Sequence, residues 1–112
     1  HFMNIIPDQC QVNQALEIFV GKWKLLILLH LIANGTTRFG EFQRVIPTIT
    51  PKVLTQQLRE LEEENIIERH VYPEIPPKVE YTISTYGKTL EPIFTAMHTW
   101  GQNHLRYKQS RK

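Results

Sequence analysis

Residues 48–65 read TITPKVLTQQLRELEEEN, and this stretch decides the fold. Three leucines share one side of a helical wheel drawn through it: Leu54, Leu58 and Leu61. Thr50 is suited to the N-cap, because its hydroxyl can accept a hydrogen bond from a free N–H of the first turn, and Pro51 is tolerated at the first helical position. The stretch is therefore predicted to be an amphipathic helix over residues 50–64.

The charges of this predicted helix run against its dipole. Lys52 lies in the first turn and residues 62–64 are three glutamates in the last turn, whereas a helix favours the opposite arrangement. A polyanion bound at the N-terminal end would offset the unfavourable lysine. The side opposite the leucines carries polar side chains that can contact phosphates and base edges: Lys52, Thr55, Gln56 and Arg59. Ordinary solvated surface helices show the same polar face, so the wheel alone does not distinguish a DNA-binding helix from such a surface helix.

A second helix is predicted just upstream, from Phe39 to Ile46, with its apolar side chains at Phe42, Val45 and Ile46 turned inward. It must end before Pro47, because the residue before a proline avoids helical geometry. Only about three residues then separate it from the helix that begins at Thr50. Two helices joined in this way form a helix-turn-helix.

The rest of the chain supplies the flanking elements. A first helix is indicated by apolar residues at helical spacing, and residues 23–34 form an almost wholly apolar helix that we expect to be central and covered on all sides. Residues 66–72 and 78–84 are predicted strands, and the proline-rich segment 73–77 between them is expected to project as a stiff hairpin tip. A final helix carries an apolar stripe: Leu90, Ile93, Phe94, Met97, Trp100 and Leu105. The fold class is α+β, mostly α, a winged helix.

Composition narrows the class of protein. The net charge is only +2, but residues 20–59 hold six bases against one acid, which suits a surface that binds phosphates. The longest apolar run, residues 25–29, is far shorter than the roughly 20 residues of a membrane span, so we expect no membrane association. The histidines lack metal-ligand spacing, and no catalytic or glycine-rich phosphate motif occurs, so neither an enzyme nor a cofactor is expected.

The ends of the chain and its cysteine usage set further expectations. Residues 3–112 are expected to form one domain, with His1 and Phe2 left over from recombinant expression. The chain opens without the features of a secretory signal. A single cysteine, Cys10, excludes a disulfide within the chain and fits a reducing cytoplasm.

Several stretches together resemble the HxlR-type branch of the MarR-like winged-helix regulators of bacterial transcription: GKWKLLIL (21–28), RFGEFQRVIP (38–47), ITPKVLTQQLRELEEENIIER (49–69) and YPEIPPKVEYTISTYGKTL (72–90). The resemblance covers most of residues 10–100. It implies a homodimer built by the first and last helices, acting as a transcriptional repressor. It also implies that helix 50–64 of each subunit enters the major groove of a palindromic operator, with a wing at 72–79.

The resemblance also bears on Cys10, since the N-terminal cysteine of this family often senses oxidants or electrophiles. Near a helix N-terminus its thiolate would be stabilised and reactive, although Asp8 opposes that effect. Family members commonly have proline after this cysteine, whereas this chain has Gln11. The alternative role for Cys10 is a small apolar residue at the dimer seam.

The residues expected to contact DNA extend beyond helix 50–64, which is the predicted recognition helix. Its own set is Lys52, Thr55, Gln56 and Arg59. Thr48 and Thr50 flank it and either touch phosphate or, for Thr50 especially, cap the helix. Arg38 at the start of the preceding helix and Arg44 later on it are phosphate contacts or ordinary surface arginines, and Lys78 at the hairpin tip either contacts the backbone or is solvated.

Two alternatives remain open from the sequence. A winged-helix protein-interaction module would use the same face without appreciable affinity for DNA. The stripe of Phe94, Met97 and Trp100 is read first as core or dimer packing, with a small-molecule inducer pocket against the domain body as the second reading.

Overall fold

The computed structural model describes residues 11–19 and 21–111. Within this part of the chain the elements follow in the predicted order, with one short strand added: α1 (Val12–Phe19), α2 (Trp23–Asn34), β1 (Thr37–Arg38), α3 (Phe39–Val45), α4 (Pro51–Glu63), β2 (Ile67–Tyr72), β3 (Lys78–Ile83), a 3₁₀ turn (Gly87–Leu90) and α5 (Glu91–Ser110). The fold is the predicted winged helix, mostly α.

Helix α2 lies at the centre of the domain, with Ile27, Leu28 and Leu31 buried in the core. It stops at Gly35, whose φ of 77° lies in the left-handed region that glycine adopts most readily. The prediction that α2 would be covered on all sides is wrong. Leu26 and Leu29 remain about 40% exposed, because the described elements pack only against the other side of the helix.

Helices α3 and α4 form the helix-turn-helix. Phe42 is fully buried, and the backbone N–H groups of Ile46 and Ile49 close the turn on the carbonyl oxygens of Phe42 and Ile46 at 2.8 and 3.1 Å. Val45 was predicted to face inward with Ile46 but is 48% exposed, whereas Ile46, the next residue, is buried.

A tight reversal ends α4 and directs the chain into the sheet. The N–H of Ile66 donates to the carbonyl oxygen of Leu61 at 3.0 Å, and the N–H of Asn65 donates to that of Glu62 at 2.9 Å. Asn65 has a φ of 61°, which asparagine tolerates better than most residues. The buried side chains of Leu61 and Ile66 complete this helix-ending motif.

The sheet has the strand order β1-β3-β2 and is antiparallel throughout. Tyr81 in β3 faces Thr37 of β1 on one side and Arg69 of β2 on the other. Its ring contacts that of Phe42 edge to face at 6.2 Å between centroids, so the sheet is packed against the helix-turn-helix. The strand β1 was not predicted, because two residues are too few to show any periodicity.

A buried polar joint connects the sheet to α5. The Ser84 hydroxyl donates to the carbonyl oxygen of Asn65 at 2.6 Å and accepts the N–H of Gly87 at 2.8 Å. Phe94 of α5 is buried and lies edge to face with Phe19 of α1 at 5.4 Å.

The rest of the predicted α5 stripe is not buried in one subunit. Four of its members are 41–66% exposed: Ile93, Met97, Trp100 and Leu105. Leu90 belongs to the 3₁₀ turn. Among the described helices, none is both long and apolar enough to cross a membrane.

Candidate nucleic-acid interface

The outer side of α4 presents the polar face that the wheel predicted. Leu54, Leu58 and Leu61 are almost fully buried, which fixes the rotation of the helix about its axis. The four predicted DNA-reading residues are exposed as a result: Lys52, Thr55, Gln56 and Arg59. They occupy the first three turns, so one open surface carries two cations, an amide and a threonine.

The threonines of this region have distinct local roles. Thr50 is the N-cap of α4, with its hydroxyl accepting the N–H of Val53 at 3.2 Å. Thr55 donates its hydroxyl proton to the carbonyl oxygen of Pro51 at 2.8 Å, which leaves its methyl group and its acceptor lone pairs for an outside partner. Thr48 is exposed in the turn between α3 and α4.

An ion pair neutralises one of the acids on α4. Lys24 Nζ of α2 lies 2.7 Å from Glu60 Oε1. The hydrogen bond from Lys24, reinforced by its charge, holds the pKa of Glu60 below its ordinary value of 4.5. Arg59 makes no salt bridge with any described residue. Its guanidinium is therefore available on the open side of the helix.

The base of the wing carries a compact polar group. Lys78 Nζ lies 3.5 Å from Glu80 Oε2 and 5.0 Å from the ring centroid of Tyr72. Hydrogen bonding to Glu80, and the charge of that carboxylate, raise the pKa of Tyr72 above its ordinary value of 10. The predicted wing cation is thus partly neutralised by Glu80, while the hairpin tip at residues 73–77 projects beyond it, with Ile75 fully exposed.

A groove of about 890 Å³ separates α3 from the wing and brings together three of the predicted phosphate contacts: Arg38, Arg44 and Lys78. Glu41 and Glu74 also line it. The Glu41 carboxylate is engaged by His30 of α2, with Nε2 and Oε2 3.1 Å apart. Arg38 itself belongs to β1 and is the N-cap of α3, not part of the helix.

A second groove, of about 450 Å³, lies between α4 and the sheet and contains a cation that the sequence analysis missed. Arg69 of β2 lines it together with Thr55 and Arg59 of α4. Arg69 stood in a predicted strand with no local feature that set it apart. Only the pairing of β2 with β3 places it opposite α4.

Other predictions about sites have different outcomes. Cys10 lies outside the described residues, so its role as a sensor stays a prediction. Among the residues that the structure describes, no three histidine, cysteine, aspartate or glutamate side chains are grouped as metal ligands would be. A hollow of about 360 Å³ between α1 and the start of α5 is lined by Ile18, Leu90 and Ile93, but not by Phe94, Met97 or Trp100.

Comparisons with known proteins agree with this geometry. Residues 18–109 match the family model for an HxlR-like helix-turn-helix. The HTH-type transcriptional regulator YybR of Bacillus subtilis strain 168 is 47% identical over 103 residues, which cover 90% of this chain and 82% of YybR.

Two solved proteins share the fold over nearly their whole length. The redox regulator HypR in its reduced form is 44% identical, with a TM-score of 0.82 over 90% of this chain and 99% of that one. Its oxidised form is 48% identical, with a TM-score of 0.76 over 84% and 96% of the two chains. A MarR-family transcriptional regulator from Enterococcus faecalis V583 is 35% identical, with a TM-score of 0.83 and full coverage of both chains.

Proposed function

This chain belongs to the HxlR-like helix-turn-helix family of transcriptional regulators, and from that premise we propose that it is a homodimeric repressor that reads a palindromic operator. The family consists of regulators and not of enzymes, and such a protein acts on DNA in the cytoplasm. The observation that carries the proposal is the open face of α4, where Lys52, Gln56 and Arg59 are exposed and directed away from the core.

The chemistry of that face suits the major groove. Arginine and lysine donate to the O6 and N7 atoms of guanine, and glutamine pairs with adenine. The groove between α3 and the wing adds cations that can contact phosphates, Arg38 and Arg44 among them. Glu60 is already paired with Lys24, so it adds little repulsion toward a polyanion.

The proposed dimer is supported by apolar surface on the first and last helices. Val12 and Leu16 of α1 are 54% and 50% exposed. On α5, Met97 and Trp100 are exposed to 46% and 66%. Exposed apolar surface of this kind marks an interaction site, and a second copy of the chain would cover both helices. In such a dimer the two α4 helices would lie about 34 Å apart on the DNA.

Sensing through Cys10 is the finer part of the proposal. The similarity to HypR, a redox regulator solved in reduced and oxidised forms, supports a thiol-based response in this chain. The inducer would be an oxidant or an electrophile that modifies the thiolate or joins two subunits through a disulfide.

The test is a mobility-shift titration against the promoter regions of the protein's own gene and its neighbours. Wild type and Cys10→Ser are compared, each reduced and then treated with diamide or a quinone. We expect both reduced proteins to bind, and treatment to release only the wild type.

The outcomes separate the two parts of the proposal. Binding that is insensitive to treatment would retain the regulator and reject Cys10 as its sensor. Failure of reduced protein to bind any fragment would reject the regulator and favour the protein-interaction module.

A further inference from the structure

The groove between α4 and the sheet has cations on both of its walls. Arg59 projects from the recognition helix and Arg69 from β2, and the side chains of Phe39, Val79 and Tyr81 line the space between them. One acid, Glu62, lines the groove as well. The groove therefore carries a net positive charge over a partly apolar surface, on the side of α4 that faces the wing.

The register of the sheet explains why Arg69 faces this groove. Arg69 is directly paired with Tyr81 across β2 and β3, and directly paired residues project from the same face of a sheet. Tyr81 is buried against Phe42 of the helix-turn-helix. Arg69 must then lie on the face that packs toward the helices, two residues beyond the buried Ile67.

A buried arginine requires an ionic partner within the fold, whereas an arginine at the open edge of a groove is solvated and does not. Arg69 forms no salt bridge with any described residue, and it remains exposed. The guanidinium is planar and presents several donors, which suits it to bind a phosphate through two parallel hydrogen bonds. Its surroundings thus leave its donors free for an anion that approaches from outside.

We propose that Arg69 binds a backbone phosphate of the operator at the mouth of this groove and so fixes the position of α4 beside it. The inference rests on the proposed function, since the anion is a DNA phosphate. The two arginines have different roles. Arg59 contacts a base edge, while Arg69 contacts a phosphate of the DNA backbone. Glu62 opposes the phosphate by charge repulsion.

The experiment measures the affinity of the full chain for an operator duplex and for a duplex with one altered base pair, over a series of salt concentrations. Each phosphate contact contributes about 0.9 to the slope of log affinity against log salt concentration. At 0.1 M salt, one such contact therefore strengthens binding about tenfold relative to 1 M salt. Each of the two subunits of the proposed homodimer loses one such contact, so Arg69→Ala is expected to bind both duplexes about a hundredfold more weakly near 0.1 M salt, with a slope reduced by about two and an unchanged preference for the operator.

Two further variants keep the test independent of folding. Lys88→Ala removes a positive charge from the 3₁₀ turn, where the exposed Lys88 lines neither groove, and should leave the slope unchanged. Glu62→Gln removes the opposing charge and should tighten binding to both duplexes. Thermal melting by circular dichroism checks that each variant folds.

The failures are distinguishable. If wild type binds the operator but Arg69→Ala retains its affinity and slope, the phosphate site is wrong and the regulator stands. A change of sequence preference in Arg69→Ala would equally overturn the site, because Arg69 would then read bases. If wild type binds no duplex, both the site and the proposed function are rejected.

Discussion

Lys24 of α2 and Glu60 of α4, 36 residues apart in the sequence, form an ion pair of 2.7 Å. The pair links the central helix to α4 on the flank opposite the one that faces the sheet. It also removes the net charge of one acid from a helix whose glutamates cluster toward its C-terminal end. The arrangement of charge on α4 is thus less unfavourable in the fold than it is on the isolated helix.

This ion pair predicts a pH-dependent contribution to stability. Because folding lowers the pKa of Glu60, its contribution is present above the ordinary value of 4.5 and is lost as the pH falls through the lowered pKa. Glu60→Gln should reduce the free energy of unfolding by about 0.2–1 kcal/mol near neutral pH, and by nothing once the pH is below that lowered value. Urea unfolding at several pH values, at one protein concentration, measures the difference.

Glu63→Gln is the matched control, since Glu63 makes no salt bridge with a described residue. A reduction that is equal in both variants, or that persists in strong acid, would show that the Lys24 pair does not stabilise the fold.

Gly87 is predicted to be intolerant of any side chain. A Cβ at this position would overlap the carbonyl oxygen of Ile66 and the side chain of Ile83, and the backbone there is also held by Ser84. Gly87→Ala should lower the free energy of unfolding by about 1–3 kcal/mol, the range seen for overpacked sites. Chemical denaturation is the measurement.

Gly40→Ala provides the comparison, because a Cβ there meets nothing within 4 Å and alanine favours the helix. We expect it to be neutral or slightly stabilising. Equal effects at the two glycines would contradict the packing described at Gly87.

The N-cap of α4 is predicted to contribute measurably to stability. Thr50→Ala removes the acceptor of the Val53 N–H and should lower the free energy of unfolding by about 1 kcal/mol. Thr50→Ser retains the hydroxyl, so its free energy of unfolding should be close to that of the wild type. If serine were as damaging as alanine, the methyl group of Thr50, and not its cap, would be responsible.

The apolar surface of α5 is predicted to hold two subunits together. Ile93→Asp places a charge on that surface and should shift the protein to a monomer in sedimentation velocity at micromolar concentration. Val45→Asp is the control, since Val45 is similarly exposed, at 48%, but lies on α3. A dimer that survives the change at Ile93, or a wild-type monomer, would exclude α5 from the interface.

The sequence predicted those elements whose signals are local. Thr50 and Pro51 mark the start of α4 within a single turn, and the spacing of its three leucines gives its rotation. The two strands of the hairpin follow from alternation and from the prolines between them. In each case the information lies within a few residues of the element.

The features that were missed depend on contacts between distant parts of the chain. Strand β1 exists only because Thr37 and Arg38 pair with β3, and Arg69 is brought beside α4 only through its pairing with that same strand. The exposure of Leu26 could not be foreseen either, and the sequence left open whether Trp100 packs in the core or against a second chain, because an apolar stripe has the same pattern in both cases.

The most direct test of the account is the base preference of Arg59 variants. Fluorescence anisotropy compares wild type, Arg59→Ala and Arg59→Lys on the operator and on each of its single-base variants, with Arg38→Ala as the phosphate-contact control. We expect Arg59→Ala to lose about 1–3 kcal/mol of discrimination at one base pair of each half-site, and Arg38→Ala to weaken every duplex alike. Unchanged binding of Arg59→Ala to every duplex would contradict the assignment of α4 as the recognition helix.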